Sequence, residues 1–241
     1  MGSRLAEISC AADVRALHGE GPVWVDRETA LYWVNITGRR IYRLGESSDI
    51  REWETPMRVG AIAPRASGGF IAATDQGFAQ IDLDSNRFDI LVNPEEHLPG
   101  NRFNDGKVDR AGRFWAGTMD DKEREATGSL YRLDPDGRWA KLDEGYPDGM
   151  TVDCEGCLWI AFWDGWCVRR FTDDGRHLAD IPLKVQRPTS CTFGGPDLDR
   201  LYVTSATIGI DAQALEMQPC AGGLLLVEAG ARGIQQVPFA G

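Results

Sequence analysis

The run Val108-Asp109-Arg110-Ala111-Gly112-Arg113-Phe114-Trp115-Ala116 returns as Val152-Asp153-Cys154-Glu155-Gly156-Cys157-Leu158-Trp159-Ile160-Ala161. A recurrence at that distance, with strand-turn-strand chemistry inside each copy, marks a radial array of small antiparallel sheets. Five copies can be placed by their aromatic or apolar second strands, at residues 30–34, 69–73, 113–117, 157–161 and 200–204. Third strands follow at 39–44, 78–83, 129–133 and 167–171, where polar and apolar residues alternate as on a half-exposed sheet. Asp134-Pro135-Asp136-Gly137 and Asp173-Asp174-Gly175 then supply hairpin turns toward an outer strand. The expected fold is all-β, a β-propeller of four-stranded antiparallel blades with five blades readable, in a single domain over residues 1–241. The early run Glu7-Ile8-Ser9-Cys10 is expected to pair with the last blade, removing two exposed sheet edges.

Composition narrows the partners. The formal net charge is -11 over 241 residues, and no lysine or arginine block could neutralise a run of phosphates, which argues against nucleic acid. No stretch approaches the roughly 18 uninterrupted apolar residues of a membrane span, and no basic segment precedes an apolar leader, so a cytoplasmic protein off the membrane is expected, monomeric or homodimeric. The cysteines Cys10, Cys154, Cys157, Cys167, Cys191 and Cys220 are scattered and mostly embedded in apolar runs, the pattern of reduced core residues. Cys154-Glu155-Gly156-Cys157 has the spacing of half a zinc site, but it aligns with the turn Arg110-Ala111-Gly112-Arg113 and has no second ligand pair nearby.

The repeat also aligns carboxylates. Glu20-Gly21, Asp105-Gly106 and Asp148-Gly149 precede matching blade positions, on loops that in a propeller ring the mouth of the central channel. Carboxylates gathered there repel unless they are protonated or bridged by a cation. The same Asp-Gly pairs also serve as strand-entry turns for backbone reasons alone.

Together these motifs resemble the SMP-30/gluconolactonase/LRE family, the regucalcin-like sugar lactonases. The resemblance is carried, in order, by Gly19-Glu20-Gly21-Pro22-Val23-Trp24, Asn101-Arg102-Phe103-Asn104-Asp105-Gly106-Lys107, Ala116-Gly117-Thr118-Met119, Gly128-Ser129-Leu130-Tyr131-Arg132, Tyr146-Pro147-Asp148-Gly149-Met150 and the run from Pro188 to Gly195. It implies a six-bladed propeller with one divalent metal at the channel mouth. Glu20 and Asp148 would be the metal ligands, and Arg102 and Asn104 would face a sugar lactone. The chain departs from the family between Leu133 and Gly145, where a further blade and the asparagine that supplies a third metal ligand are missing across Trp139/Ala140.

The activity so implied is metal-dependent opening of sugar lactones of the gluconolactone or pentonolactone type, with Asp148 as the base that activates water. The metal is expected to be calcium, with zinc, manganese, magnesium and iron as the other candidates. The alternative reading is a calcium-binding or ligand-binding propeller without turnover, made credible by the lost asparagine. A glycosidase is a third, and the order of the motifs argues against it.

Overall fold

The computed structural model describes residues 8–108, 111–122, 127–144, 149–162, 165–172, 176–235 and 238–239. The fold is a β-propeller of five four-stranded antiparallel blades, with one short α-helix among the described residues, α1 (Ala212–Glu216). No helix among them is long and apolar enough to cross a membrane. The first blade is β2 (Gly19–Val25), β3 (Ala30–Asn35), β4 (Arg40–Leu44) and β5 (Ile50–Glu54). The second is β6 (Val59–Pro64), β7 (Phe70–Thr74), β8 (Gly77–Asp82) and β9 (Arg87–Val92). The third is β10 (Asn101–Val108), β11 (Phe114–Asp120), β12 (Ser129–Leu133) and β13 (Trp139–Glu144). The fourth is β14 (Met150–Val152), β15 (Leu158–Phe162), β16 (Cys167–Phe171) and β17 (His177–Pro182).

The last blade is composite. β18 (Pro188–Gly194), β19 (Arg200–Ser205) and β20 (Leu224–Val227) take their fourth strand from the N-terminal segment, β1 (Ile8–Ala12). The register is Ile8 opposite Val227, Ser9 opposite Leu226 and Cys10 opposite Leu225, with a bulge before Ala12 meets Leu224. The expected pairing of the Ile8 segment with the last blade is therefore found.

Two compact units divide the chain. One contains the N-terminal segment through Tyr32, Arg43–Arg51 and Gly149–Gln235. Its core joins Trp159, Val168, Leu183 and Val185 to Phe193, Leu201, Val203 and Leu225, with the Trp159 and Phe193 rings edge to face at 5.5 Å. The other unit contains Trp33–Tyr42 and the chain from Glu52 through β13, and its core is aromatic. Phe103 sits 4.5 Å from Phe78 and 5.8 Å from Tyr131 between ring centroids. Inner and second strands such as β3, β6 and β7 are buried along their whole length, so they carry largely apolar runs, and β2 is equally buried although it carries Glu20. The outer strand β5 is exposed at four of five positions, which is where charge is tolerated.

The repeated Val-Asp-x-x-Gly phrase acquires a physical reason in the fourth blade. Asp153, 1% exposed, closes the turn between β14 and β15: its Oδ1 accepts the amides of Glu155 and Cys157, both at 2.9 Å. Its Oδ2 accepts the Trp159 indole N–H at 2.9 Å and Arg170 Nε at 2.8 Å. The Cys154–Cys157 segment is thus a turn, as its alignment implied, and all six cysteines are free. Cys157, Cys167 and Cys191 are buried, but Cys10 and Cys154 are exposed, contrary to the expectation from their apolar neighbours, because both lie at a strand edge or turn.

Candidate functional site

Glu20 opens the buried strand β2 and is 3% exposed. Its Oε2 accepts the N–H of Gly21 at 2.8 Å, and Asp105 Oδ1 accepts the N–H of Gly106 at the same distance. In both pairs the carboxylate thus accepts the amide of the glycine that follows it, although Gly21 takes a positive φ of 51°. Asp148 lies outside the described residues. The glycine after it is held against β18, where a Cβ on Gly149 would stand 2.4 Å from the Thr189 carbonyl oxygen, so no larger residue enters the strand there.

Arg102 and Asn104 are brought together on β10, within the second unit. Arg102 is 7% exposed; its Nη1 donates to Asn104 Oδ1 at 2.9 Å and to the Phe103 carbonyl at 3.1 Å. A guanidinium only donates, so the Asn104 oxygen must face it and the Asn104 NH₂ points the other way. β6 fixes that position: a Cβ on Gly60 would fall 2.1 Å from the Asn104 carbonyl oxygen, so only glycine lets the two backbones approach this closely.

Two acids missed in the sequence support the arginine, Asp121 directly and Asp75 through Arg58. Arg102 Nε donates to Asp121 Oδ1 at 2.9 Å, and Arg58 Nη1 donates to the same oxygen at 2.8 Å. Arg58 Nε in turn meets Asp75 Oδ2 at 3.0 Å. Burial opposes the charge on Asp121, yet the two guanidiniums outweigh it and hold the carboxyl below its usual range. Two arginines and two aspartates thus make a charge-balanced chain ending at Asn104. Asp120-Asp121, directly after Ala116-Gly117-Thr118-Met119, was the available sign.

A cavity of about 640 Å³ opens beside Arg102, lined also by Gln76, Asn93, Glu95, Asn101 and Thr118. That volume falls in the range of small-molecule sites, roughly 300–1,000 Å³. One wall is set by Glu95, 6% exposed, which accepts Thr118 Oγ1 and Tyr131 OH on Oε1 and Asn101 Nδ2 on Oε2, each at 2.9 Å. Three neutral donors satisfy this carboxylate without a cation.

The metal question turns on donor chemistry. Among the described residues no three His, Cys, Asp or Glu side chains gather as a metal cluster. Glu20 is a buried hard-oxygen donor suited to a cation such as calcium, which fills the rest of its shell with neutral oxygens, water and further carboxylates. The donor type fits.

Comparison with known proteins decides the family. The SMP-30/gluconolactonase/LRE-like region model matches residues 18–145 and 139–207. The chain belongs to this family. The two matched stretches meet at 139–145, where the sequence lacks a blade, and β13 runs straight through Trp139/Ala140 as the outer strand of the third blade. Regucalcin of Danio rerio is 33% identical over 292 aligned positions, covering 98% of this chain and 99% of that protein. The 6-deoxy-6-sulfogluconolactonase of Pseudomonas putida is 31% identical, over 97% of this chain and 99% of the relative. Alignments of that length against a chain of 241 residues require an internal gap on the scale of one blade. Among solved structures, the regucalcin of Agrobacterium tumefaciens, described as a calcium-binding protein, superposes with a TM-score of 0.88 at 25% identity, over 95% of this chain and 96% of its own.

Proposed function

We propose that this protein is a metal-dependent hydrolase that opens sugar lactones of the gluconolactone or pentonolactone type. The observation that carries the reading is the bond from the buried Arg102 to Asn104, the arginine pinned by Asp121 beside a polar cavity, in a family whose members include a 6-deoxy-6-sulfogluconolactonase. Glu20 and Asp148 would hold the divalent cation, calcium first. When bound, it would polarise the lactone carbonyl and stabilise the charge that develops on its oxygen. Asp148 takes the proton of the attacking water, the acyl carbon–ring oxygen bond breaks, and the ring oxygen leaves as an alcohol after gaining a proton. The Asn104 NH₂ and the guanidinium of Arg102 orient the sugar hydroxyls or the ring oxygen. With the family's asparagine ligand missing, cation binding should be weaker than in six-bladed relatives.

Purified protein loaded with calcium, manganese or zinc should open five- and six-membered aldonolactones faster than buffer, and a chelator should remove the gain. Failure with every lactone, despite cation binding by calorimetry, would leave the calcium-binding reading that the Agrobacterium relative's description and the missing asparagine favour. Arg102→Ala removes charge-assisted bonds worth about 1.5–3 kcal/mol each, so KM should rise roughly 10- to 100-fold with a smaller loss in kcat. An equal fall in kcat and kcat/KM would instead place Arg102 in transition-state stabilisation.

A further inference from the structure

We propose that Thr189 is a positioning residue for the cation site, its hydroxyl and its carbonyl holding the backbone next to each of the two acids. The inference rests on the function proposed above for Glu20 and Asp148. Thr189, 3% exposed, is the extra residue of a bulge in β18, because Pro188 stands opposite Ser205 and Ser190 opposite Thr204. Bulges recur beside functional sites, where they re-aim a side chain. β6 bulges between Val59, opposite Thr74, and Ala61, opposite Ala73. β10 bulges between Phe103, opposite Thr118, and Gly106, opposite Ala116. Counted from these registers, Gly60, Asn104 and Thr189 hold the same position in their blades. The second blade has a bare glycine there, the third has Asn104, and the last has a hydroxyl.

That hydroxyl has a single proton, which goes to the Gly19 carbonyl, a group that can only accept. Thr204 Oγ1, 2.9 Å from Thr189 Oγ1, is therefore the donor between the two hydroxyls, its proton shared with the Ser190 carbonyl at 3.3 Å. The Gly19 carbonyl belongs to the peptide group that carries the Glu20 N–H, so the bond fixes the plane from which the Glu20 side chain departs. Glu20 stands between two glycines, the least constrained of residues, and Gly21 sits at a φ of 51°. The bond from Thr189 replaces the stiffness that this backbone lacks. The Thr189 carbonyl meets Gly149, the residue after Asp148, at the contact that excludes a Cβ there. One bulged residue thus touches the chain directly before Glu20 and directly after Asp148. Calcium affinity follows the rigidity of the site as well as its charge, and groups that orient metal ligands contribute about 10- to 100-fold.

The test is calcium titration by calorimetry on the full chain. Thr189→Val keeps the shape and loses the hydroxyl, so its Kd should rise about 10-fold, while Thr189→Ser keeps the hydroxyl and should stay within about threefold of the parent. The rise in Tm on adding calcium should shrink in step with affinity. Cys191→Ala supplies the contrast: it empties a buried site on the same strand, whose Sγ donates to the Trp159 carbonyl at 3.3 Å. It should lower the Tm of the calcium-free protein and leave the Kd unchanged, the pattern Thr189→Val would copy if its role were structural alone. Should Thr189→Val not fold, Thr189→Ala takes its place with the same expected weakening. Parent affinity in the variant without the hydroxyl, or equal weakening in Thr189→Val and Thr189→Ser, would overturn the proposal even where Glu20→Gln loses binding. A parent that binds no calcium would overturn the proposed cation site and this inference together, so the two failures are told apart without an activity assay.

Discussion

Asp153→Ala should destabilise the protein by about 3–5 kcal/mol, the cost of removing one partner from a buried charged network. Four groups lose their acceptor at once: the amides of Glu155 and Cys157, the Trp159 indole N–H and Arg170 Nε. Arg170 also packs 5.5 Å above the Trp159 ring, so its release loosens the core of the first unit and not only a surface turn. For a chain of this size the Tm should fall by roughly 10 °C. Asp153→Asn keeps an acceptor but loses the charge, and should cost less, about 1.5–3 kcal/mol. Burial works against the Asp153 charge, yet the bonds from Trp159, Cys157 and Arg170 together lower its proton affinity below the usual carboxylate range. A carboxyl depressed in the folded state stabilises fully above the unfolded value of about 3.9 and loses that contribution as pH falls through the folded value. Denaturant titrations across that acid range should therefore show a shallower fall in stability for Asp153→Ala than for the parent; parallel curves would contradict the assignment.

The same aspartate shows what was legible in the chain and what was not. A repeated phrase records local turn chemistry, so the second strands at 30–34, 69–73, 157–161 and 200–204 appear within a residue or two of β3, β7, β15 and β19. The second strand of the third blade is longer than its pattern implied, because β10 carries the pairing on until Asn101 stands opposite Asp120. That extension delivers Asp121 to Arg102. Nothing periodic announces it, since Arg58, the other partner of Asp121, lies on the neighbouring blade 63 residues away. Glu95 was equally silent: it sits between β9 and β10 in a stretch without a counterpart in the repeat, and its role comes from three donors on β10, β11 and β12. Cys10 lies on the strand that completes the last blade, so apolar neighbours in sequence gave the wrong exposure for it. Sequence pattern reports what a segment does for itself, and the polar networks here join segments that fold apart.

The largest effect on activity is expected from the two acids proposed to hold the cation, and the two should fail differently. Glu20→Gln exchanges a buried anionic donor for a neutral amide of nearly the same shape beside the Gly21 N–H. Because cation affinity follows the charge of the ligand set, binding should weaken by an order of magnitude or more, and turnover should return in part as the metal concentration is raised. Asp148→Asn removes a ligand and the proposed base together. A positioned base contributes about 10²- to 10⁴-fold, so turnover should fall by at least that factor and stay low at saturating metal, where occupancy no longer limits the rate. Calorimetry with calcium and lactonase assays at graded metal concentrations would separate the cases. If both variants recover to the same rate at high metal, Asp148 is a ligand alone and the proton goes elsewhere; if neither alters the titration, the cation does not sit on these acids. A pH profile of kcat/KM adds a readout that occupancy alone would not move: its acidic limb, set by the base that must be ionised, should persist in Glu20→Gln at saturating metal and vanish in Asp148→Asn.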